Sequence, residues 1–144
     1  MQKSISEILE EASKIDKRYG RLKHLQENSS AALKAVLGFC FDPKIKWLLP
    51  EGAPPYKAAD TGEDLQGVLY SEYRRMWIFV ESVEYKDLRQ MKREQLFSQF
   101  LEGLDPDDAK LIISIKDGKM PYKGITKPLV AEAFPNLAKD WDPA

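Results

Sequence analysis

The chain has 144 residues and a net charge of −1, with 43% hydrophobic and 31% charged residues. This composition is ordinary for a soluble globular protein, and the length suits one domain over residues 1–144. A disordered tail is excluded, and so is nucleic-acid binding through the charge of the whole molecule. No apolar run approaches the ~18 residues of a membrane span, and residues 1–14 lack the apolar core of a signal peptide. We therefore expect a cytoplasmic protein that does not enter membranes.

Most of the chain carries apolar residues at three- and four-residue intervals, which is the pattern of helices that bury one face. The predicted helices cover about residues 5–12, 16–27, 31–41, 44–49, 65–83, 87–101, 105–115 and 126–134. Ser4 with Glu7 has the spacing of a capping box, and Asp105 before Pro106 is typical of a helix start. Because no alternating pattern of convincing length predicts a strand, we expect an all-α, compact single-domain bundle of about six to eight helices.

The longest apolar stripe lies over residues 65–83, which predicts the longest and central helix of the bundle. Trp77 and Val83 belong to this stripe and are expected to face the core. A cap-like start at Thr61 precedes it. In the next helix, Met91 is likewise expected to point inward.

The residue types that most often carry catalysis or bind metal are few and scattered. Cys40 is the single cysteine and lies in an apolar run, which is typical of a buried core residue. His24, the single histidine, lies in a polar helical stretch and is expected to be exposed or half-buried, not a base for Cys40. The acids between residues 105 and 108 fit helix capping better than a calcium loop. With no phosphate-binding loop and no G-x-S-x-G elbow, we expect no enzyme, no metal and no cofactor.

Lysine is concentrated between residues 116 and 127, a segment that we call the lysine–glycine turn. It contains four lysines, two glycines and one acid, and it leads into the last predicted helix. Glycine lets a backbone approach a bulky partner, a helix start offers free amides, and lysine supplies charge to a phosphate backbone. The candidate nucleic-acid-binding residues are Lys116, Lys119, Lys123, Gly124, Thr126 and Lys127. Residue types alone leave open whether this is a phosphate-binding turn or a solvated loop.

Three segments, in this order, resemble the N-terminal DNA-binding domain of phage-type (T-even-like) ATP-dependent DNA ligases. Residues 33–45 look like the helix and Asp-Pro turn near the start of that domain, and residues 104–116 are similar to its penultimate helix. Residues 124–137 resemble the turn and helix that close it. The resemblance covers nearly the whole chain, which is also similar to small proteins of T-even-like phages of cyanobacteria.

This resemblance implies a ligase-like helical fold that grips double-stranded DNA, intact or nicked, through the minor groove and the sugar-phosphate backbone. Gly124 would be the glycine of close approach, and Thr126 and Lys127 would be contacts at the helix start. The earlier lysines of the turn would be auxiliary phosphate ligands. The chain departs from the family in lacking the K-x-D-G nucleotidyl-transfer motif and in carrying a longer turn with Pro121 inserted. We therefore expect a non-catalytic DNA-binding module without nucleotidyltransferase or OB domain, in the host cytoplasm if phage-encoded.

A second function stays open, in which the ligase-like scaffold has lost DNA binding and serves protein–protein interaction. The partner would be a phage or host protein, and the chain would act as an adaptor that modulates the host. The near-zero net charge favours this alternative, as do the acids Glu81, Glu84 and Glu94. The aromatic-rich stretch over residues 70–85 could expose an adhesive face, although its helical spacing predicts that most of it is core.

Overall fold

The computed structural model describes residues 2–60 and 63–141, and α-helices dominate this part of the chain. The elements are α1 (Ile5–Ser13), α2 (Arg18–Glu27), α3 (Ala31–Phe41), α4 (Val68–Glu72), a 3-10 helix (Tyr73–Phe79), α5 (Gln90–Glu102), α6 (Pro106–Lys116), α7 (Lys127–Ala133) and α8 (Pro135–Ala138). Within the described residues, the pairing of extended backbone is limited to one antiparallel bridge between Trp47 and Val80. The prediction of an all-α bundle with six to eight helices is confirmed by these eight α-helices.

Side-chain caps hold the first turns of four helices. Side-chain oxygens of Ser4, Ser30, Asp105 and Thr126 accept hydrogen bonds from backbone amides of α1, α3, α6 and α7. Ser4 and Glu7 form the complete capping box, since each side chain bonds the backbone amide of the other. Asp105 accepts from the amides of Asp107 and Asp108, which confirms helix capping as the role of this acidic cluster.

A continuous hydrophobic core runs through the helices. α1 contributes Ile5, Ile8, Leu9 and Ala12, which are all buried as the helical spacing predicts. α1 packs against α2 and α6, and α2 packs against α7. The N-terminal half of α2 therefore lies beside the connection between α6 and α7. No helix in the described ranges has both the length and the apolar character needed to cross a bilayer.

The helical turn predicted over residues 44–49 is wrong, because this segment is extended. The Leu48 amide donates to the carbonyl of Phe79 at 2.9 Å, and the Glu81 amide donates to the carbonyl of Lys46 at 2.8 Å. These bonds pair the segment with the residues that follow the 3-10 helix, some thirty positions further along the chain. The local apolar spacing could not reveal that partner.

The long central helix predicted over residues 65–83 is also wrong, since α4 has five residues and continues into a seven-residue 3-10 helix. A 3-10 helix has about three residues per turn, so Met76 and Phe79 align on one side and are both buried. Trp77 rotates outward and is 44% exposed, and Val83 lies beyond the helix and is 84% exposed. The cap predicted at Thr61 lies outside the described residues.

Met91 was expected to point inward and is instead 84% exposed. It lies in the first turn of α5, whose buried face contains Arg93, Phe97, Phe100 and Leu101. Residues two positions apart in an α-helix are separated by about 200° around its axis, so Met91 lies on the opposite side of α5 from Arg93. Phe97 and Phe100, which the same apolar spacing predicts to point inward, are buried, so the prediction fails at Met91 and not along the whole stripe.

Candidate nucleic-acid interface

The lysine–glycine turn begins where α6 ends in a Schellman motif. The Gly118 amide donates to the carbonyl of Ile115 and the Lys119 amide donates to that of Ser114, both at 2.9 Å. Gly118 has φ +77°, the left-handed conformation that this motif requires and that glycine adopts without a steric penalty. The turn ends at Thr126, whose hydroxyl accepts from the Leu129 amide at 3.3 Å. Both ends of the turn are therefore fixed by hydrogen bonds from backbone amides.

Three of the four lysines in the turn are presented to solvent. Lys119, Lys123 and Lys127 are all exposed. None of them forms an ion pair with a carboxylate of residues 2–60 or 63–141. Their charges are thus available to an anionic partner, as the sequence pattern predicts for a phosphate-binding turn.

Lys116, the fourth lysine, does not reach this surface. Its side chain is 1% exposed, and its ammonium group donates to the carboxylate of Asp117 and to the carbonyl of Pro50, at 2.7 Å from the latter. The Asp117 carboxylate in turn accepts from the Gly52 amide at 3.1 Å. Lys116 and Asp117 together fasten the loop around residue 50 to the end of α6. The structure therefore corrects the expectation that Lys116 is an auxiliary phosphate ligand.

Gly124 allows a close approach, but the group that approaches it belongs to the same chain. It has φ +84°, and a β-carbon built on it would lie 3.0 Å from Nε of Arg21. Arg21 is held there by hydrogen bonds from Nη1 to the carbonyls of Ile15 and Asp16, both 2.9 Å long. The free space beside Gly124 is thus occupied by an arginine, which adds positive charge to the turn.

This contact identifies a second basic segment that the sequence reading missed. Residues 14–23, which we call the α2 basic segment, contain five lysines and arginines and one acid, Asp16. A count of charges along the chain could have found the segment, but not that it lies against the lysine–glycine turn. Two of its cations have carboxylate partners, since Lys14 pairs with Glu10 and Arg18 pairs with Glu132.

The cations of these two segments that have no carboxylate partner within the described residues define what we call the basic surface. They are Lys17, Arg21, Lys23, Lys119, Lys123 and Lys127. The Arg21–Gly124 contact and the packing of α2 on α7 join the two segments that supply them. A chain with a net charge of −1 therefore concentrates positive charge locally, which is the distribution that a polyanion recognises.

The two residues weighed as a catalytic pair do not meet. Cys40 is half-buried against the core, and burial raises the pKa of its thiol to about 12, so that it stays protonated at neutral pH. His24 is half-buried on α2 and its Nε2 lies 3.1 Å from the carboxylate of Glu11. A side-chain hydrogen bond from Lys3, with a further one from His24, lowers the pKa of that carboxylate. The predicted half-buried position of His24 is confirmed, whereas Cys40 is less buried than predicted.

Comparison with known proteins assigns the chain to one protein family. No curated protein and no solved structure matches the chain significantly. Residues 8–122 match the model of a family described as a family of unknown function (DUF6433). The matched range contains the whole α2 basic segment and ends inside the lysine–glycine turn, at Tyr122. Since the match spans well over half of the chain, the protein belongs to this family of unknown function, DUF6433.

Proposed function

We propose that this protein is a non-catalytic module that binds double-stranded DNA, intact or nicked, through the sugar-phosphate backbone and with little sequence preference. The observation that carries the proposal is the set of three exposed lysines at positions 119, 123 and 127, none of which has a carboxylate partner in the described residues. Like charges within one short segment repel one another, and binding to a row of phosphates relieves that repulsion.

The type of cation supports backbone binding over base reading. A lysine ammonium is a compact charge on a flexible stem, which suits phosphate oxygens, whereas reading a base edge calls for planar, bidentate groups. The fixed ends of the turn favour binding, because less backbone freedom is lost when DNA docks. The resemblance to the ligase DNA-binding domain favours a duplex as the form of DNA.

Gel-shift titrations on intact and nicked duplexes at two salt concentrations test this proposal. Three phosphate contacts predict a slope of log affinity against log salt of roughly −2.7, since each neutralised phosphate contributes ~0.9. The variant in which Lys119, Lys123 and Lys127 are all changed to Glu should lose DNA binding. A matched control changes Lys44, Lys86 and Lys92 to Glu, which are exposed lysines outside both basic segments. The control has the same net charge and should still bind.

Three results would overturn the proposal. They are a lack of duplex binding at low salt, binding that does not change with salt, and equal loss of affinity in the two triple variants. The last result would mean that only the total charge of the molecule matters. Circular dichroism of both variants checks that folding is retained, as expected for substitutions at exposed positions.

A second candidate function, binding of a phage or host protein as an adaptor, is favoured by a different observation. Val83 and Met91 are each 84% exposed and Trp77 is 44% exposed, although all three are large and apolar. Apolar side chains exposed on the surface in this way are available to a protein partner, and exposed apolar patches mark protein-binding sites. Affinity capture after nuclease treatment tests this function: one dominant partner that is retained by the Lys119, Lys123 and Lys127 variant supports it. Loss of that partner in the same variant contradicts it.

A further inference from the structure

Tyr19 is the most exposed aromatic side chain in the described part of the chain, with 72% of its surface accessible. It follows Lys17 and Arg18 directly and lies one helical turn before Lys23. Residues four apart in an α-helix are neighbours on its surface, so Tyr19 and Lys23 lie side by side. An aromatic ring is thus exposed to solvent within the α2 basic segment.

The position of Tyr19 on α2 explains why it is not part of the core. α2 buries only Leu22 and Leu25, three residues apart on one face. Tyr19 lies on a flank of the helix, about 90° away from the middle of that face, and its ring is left in solvent. Leaving a tyrosine ring in water forgoes the stabilisation that its burial would contribute, which makes its exposure informative.

Arg18 and Arg21 hold this part of α2 against the rest of the basic surface. Arg18 pairs with Glu132 of α7, and Arg21 lies against Gly124 in the lysine–glycine turn. Both arginines are within two positions of Tyr19 in the same helix, so the ring stands on a helix that is fixed to the lysine–glycine turn. The ring itself projects about 160° away from Arg21, and its neighbouring cation on the helix surface is Lys23.

Resting on the DNA-binding function proposed above, we infer that Tyr19 stacks on an unpaired base of single-stranded DNA. Inside a duplex both faces of each base are covered by neighbouring bases, so an exposed ring can stack only where a base lacks a neighbour. An aromatic side chain among cations is the combination that binds single strands without sequence preference, because every base has an aromatic face. The partner is then a single strand, or a single-stranded segment beside a duplex, with its phosphates on Lys23 and the other cations of the α2 basic segment.

Fluorescence anisotropy with three labelled DNAs of equal length tests this inference: a single strand, a duplex, and an abasic strand that carries the phosphates without the bases. Tyr19→Ala should weaken binding to the single strand by about tenfold, which corresponds to about 1.4 kcal/mol for one stacked base. Binding to the duplex and to the abasic strand should change less than about twofold, because neither offers a free base. Tyr19→Phe should bind like the wild type, since stacking needs the ring and not the hydroxyl.

The possible results distinguish the stacking role of Tyr19 from the proposed binding of duplex DNA. If Tyr19→Ala has no effect, or weakens all three DNAs alike, the stacking role is overturned. If the single strand shows the expected loss but the wild type does not bind the duplex, the inference stands and the proposed duplex function fails. If the wild type binds only the duplex, the proposed function stands and the stacking role fails. Binding to none of the three DNAs overturns both.

Discussion

Arg21 lies across the open side of Gly124: a β-carbon on this glycine would stand 3.0 Å from Nε and 3.2 Å from Cδ of the arginine. Distances below about 3.4 Å from a side-chain carbon are tighter than ordinary van der Waals contact. One residue pair therefore joins the α2 basic segment to the lysine–glycine turn, although the two residues are about a hundred positions apart in the chain. The contact also gives Gly124 a structural role that is independent of any bound partner.

Changing Gly124 to Ala should lower the free energy of unfolding by about 2 kcal/mol or more. A residue with a side chain is disfavoured by ~1–2 kcal/mol in the left-handed conformation at φ +84°, and the new methyl group must also displace Arg21. Urea denaturation measures the loss. Gly118→Ala is the matched control, since Gly118 has φ +77° but no atom within 4 Å of a built β-carbon. It should lose only the conformational part, about 1 kcal/mol, and equal losses in the two variants would contradict the importance of the Arg21 contact.

Changing Lys116 to Ala should destabilise the fold by about 2 kcal/mol, because it leaves the half-buried Asp117 carboxylate and the Pro50 carbonyl without their donor. Lys119→Ala removes the same side chain from an exposed position of the same segment, and should change stability by less than about 0.5 kcal/mol. Urea denaturation of the two variants provides the comparison. The prediction fails if the two are equally stable.

The variants Lys116→Ala and Lys119→Ala also distinguish a lysine that stabilises the fold from a lysine that contacts DNA. Lys119→Ala should reduce the magnitude of the salt slope of DNA binding by about 0.9, because one phosphate contact is lost. Lys116→Ala should leave the slope unchanged, measured at a temperature where the variant is folded, because its ammonium group faces the interior. A reduced slope for Lys116→Ala would return this residue to the set of phosphate ligands.

Asp108 should make stability depend on pH. Its side chain is 0% exposed, Oδ1 accepts from the Ser6 amide at 2.9 Å, and Oδ2 has no hydrogen-bond partner in the described residues. Burial raises the pKa of this carboxyl from 3.8 to about 6. The protonated form is therefore favoured by folding. Below pH 3.8 the group is neutral in both states, and as the pH rises through 6 the folded state becomes less stable.

Asp108→Asn should consequently raise the free energy of unfolding by about 2 kcal/mol at pH ~8, with no gain at pH ~4. About 3 kcal/mol is the upper limit, at about 1.4 kcal/mol for each pH unit between the two pKa values. Asp107→Asn is the control, because Asp107 is an exposed acid in the same first turn of α6 and shares its helix-dipole interaction. Denaturation across this pH range provides the measurement. A gain for Asp108→Asn that persists at low pH would mean that removal of the buried charge is not its cause.

Much of the helical framework can be predicted from residues that are close in sequence. The cap at Ser4, the proline after Asp105 and the buried face of α1 depend on groups within one or two helical turns, so a short window of sequence contains both partners. The exposure of three lysines in the turn can be predicted as well, because a lysine is almost never fully buried unless its charge is paired.

Only the tertiary structure decided what surrounds the lysine–glycine turn. The bridge of Trp47 to Val80, the burial of Lys116 under Pro50 and the contact of Arg21 with Gly124 join residues that are 33, 66 and 103 positions apart. Such pairs form when helices pack, and their free energy depends on geometry that no local pattern encodes. For that reason the sequence could place a lysine-rich segment at the surface. Packing then removed one lysine from that surface and brought Arg21 of the α2 basic segment against the turn that carries the remaining three.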